Sequence, residues 1–102
     1  MAAEFRLAEP DLLRCKGELI LSKGDPEAEV EAYFWQSIES ARQIEAKSWE
    51  LRAALSLCRL WQRQGKHDAA HKLLAPIYNW FTEGFAMSDL QEARRLLNEL
   101  VI

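Results

Sequence analysis

Glycine and proline cut this sequence into segments that each repeat their apolar residues every three to four positions, and that pattern leaves room only for helices. Glu9-Pro10-Asp11 reads as a helix start, with Pro10 in a first turn where its missing N–H is harmless. Leu12, Leu13, Lys16, Gly17, Ile20 and Leu21 follow the 3.6-residue period, and Gly24 closes the helix. Asp25-Pro26-Glu27 then offers a capping acid, a proline and an acidic first turn for a second helix running to about Glu45. Its stripe is Val30, Phe34, Ile38 and Ala41. A third helix, Lys47 to Gln64, carries Trp49, Ala53, Ala54, Leu57, Leu60 and Trp61 before Gly65. So broad an apolar face suits a helix packed between neighbours. The fourth begins near His67 with Ala70, Leu73, Leu74, Ile77 and Tyr78; Pro76 should kink it and Gly84 should end it. Ser88-Asp89-Leu90-Gln91 reads as a capping box for a fifth, with Leu90, Ala93, Leu96, Leu97 and Leu100. No alternating strand pattern appears. The expected fold class is all-α, one domain of about five helices spanning residues 1–102.

The segments repeat. Gly24-Asp25 aligns with Gly65-Lys66 at an offset of 41 residues, and at that offset Leu13 meets Ala54, Gly17 meets Cys58 and Ile20 meets Trp61. Small residues recur where two helices must approach closely, and large apolar ones recur one turn later. The expected organisation is a hairpin over about 10–45, a second over about 47–83, and a capping helix over about 89–101.

These positions resemble the tetratricopeptide pattern, carried by Leu13, Gly17, Ile20, Gly24, Val30, Phe34 and Ser37 in the first hairpin. Ala54, Cys58, Trp61, Gly65, Ala70 and Leu74 carry it in the second. The usual repeat is about 34 residues; here it is longer, and the closing proline is displaced to Pro76. The resemblance implies antiparallel hairpins stacked as a short right-handed superhelix. The runs from Ala46 to Leu57 and from Leu73 to Phe85 also resemble the C-terminal repeats of large bacterial signalling proteins that join a nucleotide-cyclase or kinase domain to a predicted ATPase. That likeness brings no catalytic residues. It implies a protein-contacting tail or module, and, as an alternative function, a regulatory fragment controlling such an enzyme.

Composition narrows the function classes. A net charge of −3 argues against a general nucleic-acid binder. The N-terminus lacks a signal-peptide pattern, and the longest uncharged run, Leu73 to Thr82, is too short to cross a bilayer. A cytoplasmic protein with Cys15 and Cys58 reduced is expected. Four glycines stand singly, with no phosphate loop, no Gly-x-Ser-x-Gly and no Cys-x-x-Cys. His67 and His71 have the spacing of two metal ligands, but the sequence supplies no third; two solvated histidines explain them better, and no metal or cofactor is assigned. An enzyme is not expected.

Two surfaces remain for a protein or peptide partner. In the tetratricopeptide register the first helix of each hairpin lines a groove, exposing Asp11, Arg14 and Glu18, then Arg52, Leu55, Arg59 and Arg63. Guanidinium groups there suit capture of carboxylates; a solvated face neutralised by Glu18 and Glu50 is the plainer alternative. Trp49 and Trp61 are expected in the core. Trp35 points partly outward, and Tyr78, Trp80, Phe81 and Phe85 are too many for one short helix to bury, so they form a second candidate surface. The fifth helix, with Gln91, Glu92, Arg94 and Arg95 outward, can cap one end of the stack. Nothing comparable caps the first hairpin, which should therefore show apolar surface and favour a homodimer.

Overall fold

The computed structural model describes residues 2–82 and 87–100, with side chains from residue 9 onward. It is all-helical: α1 (Ala2–Ser22), α2 (Glu27–Gln43), α3 (Lys47–Arg63), α4 (His67–Trp80) and α5 (Ser88–Leu100). Consecutive helices pack on one another. α3 also touches α1 and α5, whereas α2 and α4 do not meet among the described residues. The chain thus forms two layers, α1-α3-α5 and α2-α4. Its shortest dimension of 19 Å is about two helix diameters of 10 Å each.

α3 is the axis of this arrangement, as its broad apolar face anticipates. Residues 50, 51, 53–58, 60 and 61 are all buried, so burial runs nearly all round the helix. Val30, Phe34, Ile38 and Ala41 of α2 are buried with no exposure, the Phe34 ring lying against Gly17 of α1. Ala70, Leu74 and Ile77 of α4, and Leu90, Ala93, Leu96 and Leu100 of α5, complete the core.

Three interhelical turns share one hydrogen-bond pattern. After α1, Asp25 N–H donates to the Ile20 carbonyl and Gly24 N–H to that of Leu21. After α3, Lys66 N–H donates to Trp61 and Gly65 N–H to Gln62. Ile20 and Trp61 are partners in the 41-residue alignment, so the sequence repeat is also a repeat of backbone geometry. Both glycines have φ of 81°, the left-handed region where a Cβ is penalised. The α2–α3 turn repeats the motif, with Ala46 N–H on Ala41 and Glu45 N–H on Arg42, but the left-handed residue is Glu45, at φ 55°. Glu45→Gly should stabilise the chain by about 0.5–1 kcal/mol, since the left-handed penalty of roughly 1–2 kcal/mol is only partly offset by glycine's greater unfolded-state entropy. A higher urea midpoint at unchanged slope is the expected readout; a lower midpoint would show that the Glu45 side chain contributes more than its backbone costs.

Several local expectations are corrected. α1 begins at Ala2, so Pro10 lies mid-helix rather than in a first turn. Ala2-Ala3-Glu4 are good helix formers, and Pro10 is itself buried, its carbonyl accepting the Ser37 hydroxyl of α2. Tertiary packing offsets the lost backbone hydrogen bond. Asp25 does not cap α2: its N–H is engaged in the preceding turn, and Pro26 occupies the cap position, its carbonyl accepting from Glu29 and Val30. α4 stops at Trp80, where Phe81 turns extended and packs on the core; Gly84 lies outside the described residues. α5 starts at Ser88 itself, with the Met87 carbonyl accepting from Gln91 N–H. Ser88 is therefore inside the first turn, not outside it.

Candidate interaction surfaces

The arginines assigned to a groove do lie along the α1-α3-α5 layer, but acids of the same chain hold them. Arg14 pairs with Asp11 at 3.1 Å. Arg52 reaches Asp89 of α5 at 3.2 Å and Asp11 of α1 at 3.7 Å, bridging three helices. Arg59 meets Glu92, donating from Nε at 2.9 Å, and Arg63 stands 3.8 Å from Glu27. Half-exposed pairs of this kind contribute little stability singly, yet acids of α1, α2 and α5 together neutralise the layer. Glu18 is half-buried on α1.

Leu55 is not on this surface. It is 1% exposed and belongs to the core, on a helix that α1, α2, α4 and α5 all contact. Glu50 does not neutralise the stripe either. It is buried, and binds Arg42 at 3.0 Å and Lys47 at 3.5 Å at the α2–α3 junction.

The aromatic residues divide. Trp35 is half-buried, edge-on to Trp61 with ring centroids 5.9 Å apart, and Trp61 donates its indole N–H to Glu31. Tyr78 and Phe81 pack partly against the core. Trp80 stands 56% exposed, edge-on to Phe81 at 5.1 Å, with the Lys47 ammonium 5.3 Å from its ring. Phe85 lies outside the described residues. Trp49 departs from the core assignment: it is half-buried and borders a shallow depression with Ala46, Lys47 and Ser48. It sits in the first turn of α3.

Among the described residues, the exposed large apolar side chains besides Trp80 and Met87 are Leu12 (59%) and Leu19 (55%), both on α1. They correct the reading of Leu12 as part of the inward stripe. The helix has two apolar faces: Leu13, Gly17, Ile20 and Leu21 turn toward α2, while Leu12 and Leu19, two turns apart, face away with Cys15 between them. The seven-residue spacing off the inward face was the available signal.

The remaining sequence candidates offer no assembled chemistry. His67 and His71 are half-buried, and among the described residues no three His, Cys, Asp or Glu side chains gather as a metal site would require. Both cysteines are free, Cys15 exposed and Cys58 buried. Burial pushes the Cys58 thiol up to about 12, against a lowering pull from Arg59, and its Sγ donates to the Ala70 carbonyl at 3.3 Å. Among the described residues no helix is long and apolar enough to cross a membrane.

Fold and surface together define an all-α stack of helix hairpins with an uncovered apolar stripe on its first helix. No protein-family model, no curated protein and no solved structure matches the chain.

Proposed function

We propose that this chain is a non-catalytic protein-interaction module that associates with itself, built as a tetratricopeptide-like scaffold. The observation that carries the reading is the exposure of Leu12 and Leu19 on the outer face of α1. Two leucines more than half in water, on a helix whose other side is packed, are an unfinished interface: each fully buried leucine contributes roughly 1.5–3 kcal/mol. In a hairpin stack a helix face is polar unless something packs on it. The arginine layer is a weaker candidate, since acids of α1, α2 and α5 already engage it.

Sedimentation velocity or light scattering at micromolar concentration tests the proposal. A dimer or larger species that dissociates on dilution is expected. A monomer throughout that range would remove self-association from the reading.

A further inference from the structure

The outer face of α1 carries an ordered set of groups. Glu9 lies at one end, Leu12, Cys15, Lys16 and Leu19 in the middle, and Lys23 beyond them just past the helix end; all six are exposed. Among the described residues neither Glu9 nor Lys23 has an ion-pair partner. With the acid at the N-terminal end and the base at the C-terminal end, the stripe is complementary to itself when reversed.

We infer that α1 pairs antiparallel with α1 of a second copy about a two-fold axis passing beside residues 15 and 16, setting Leu12 against the partner copy's leucine at 19 and Glu9 against its lysine at 23. Leu12 and Leu19 are about 10 Å apart along the helix at 1.5 Å per residue, so one reversed register aligns both leucine contacts. Glu9 and Lys23 then fall within about one residue rise of each other, on the same flank of the pair. A two-fold interface requires this reciprocity: each residue meets a partner that meets it in turn. A parallel copy would instead set acid against acid and base against base. The axis also brings the two Lys16 side chains near each other, a repulsion that long stems relieve by reaching into solvent.

This inference rests on the self-associating reading and specifies its geometry, so the tests are arranged to separate the two. In the full chain, L12E/L19E should raise the dimer dissociation constant more than about a hundredfold, because both leucine contacts of the dimer become repulsive. E9K and K23E should each weaken the dimer about five- to tenfold, and E9K/K23E together should restore it. K16A should tighten it. A short bis-maleimide should link two chains through Cys15, with Cys58 shielded in the core and C15S giving no product. If the wild-type chain dimerises but L12E/L19E leaves the dimer intact, or the paired charge reversal fails to restore it, the α1 arrangement is wrong while self-association stands. A wild-type chain that stays monomeric overturns both.

Discussion

Phe34→Ala should lower the unfolding free energy by about 3–5 kcal/mol, the usual cost of removing a large aromatic from a packed core. Phe34 has no exposure and lies in the stripe by which α2 reaches the rest of the molecule. Domains of this size have a total stability of only about 5–15 kcal/mol, so the variant should sit near the limit of folding. Urea denaturation with both chains at one fixed concentration is the appropriate measurement, because self-association adds to apparent stability by mass action. A loss below about 1 kcal/mol would mean that the core refills the space and that α1 and α2 are not locked by this ring.

Gly17→Ala should also destabilise, by about 1–3 kcal/mol, although alanine is the better helix former by roughly 1 kcal/mol. A Cβ at position 17 would lie 2.6 Å from Cε1 and 2.8 Å from Cδ1 of Phe34. The obstacle is the ring of a fully buried side chain, which cannot swing into solvent as a lysine tip would. The two sites should therefore couple. In a Phe34→Leu background the same Gly17→Ala change should become neutral or stabilising, as the propensity gain emerges once the ring is gone. A double-mutant cycle measures the coupling directly; equal losses in both backgrounds would show that glycine is required for some reason other than this contact. The 41-residue alignment places Cys58 where Gly17 stands, and there the second hairpin accommodates a larger residue at its own α3–α4 contact.

How legible the molecule was depends on how far each signal reaches. Val30, Phe34, Ile38 and Ala41 were assigned inward from spacing alone and are all buried, since a helix covered along one side prints that side into its sequence. The glycines that end α1 and α3 were legible because only the left-handed cap favours glycine so strongly. The third turn uses Glu45 in the same conformation and gave no such sign. The arginine stripe was visible, but its acids were not, because Asp89 and Glu92 belong to a helix more than 30 residues away.

By itself, then, the amino-acid order determined an all-α chain, where four of its five helices fall to within a few residues, and the equivalence of two of its turns, because capping, propensity and periodicity act within a few residues. Tertiary structure decided the rest. Leu55 went inside because four helices contact α3, whereas Trp49, assigned inward by the same periodicity, is only half-buried. Pro10 was accepted within a helix because α2 covers it, and Leu12 was left in water because, among the described residues, no helix packs on the far side of α1. Burial is a property of what stands opposite a residue, and no window of neighbouring sequence contains that.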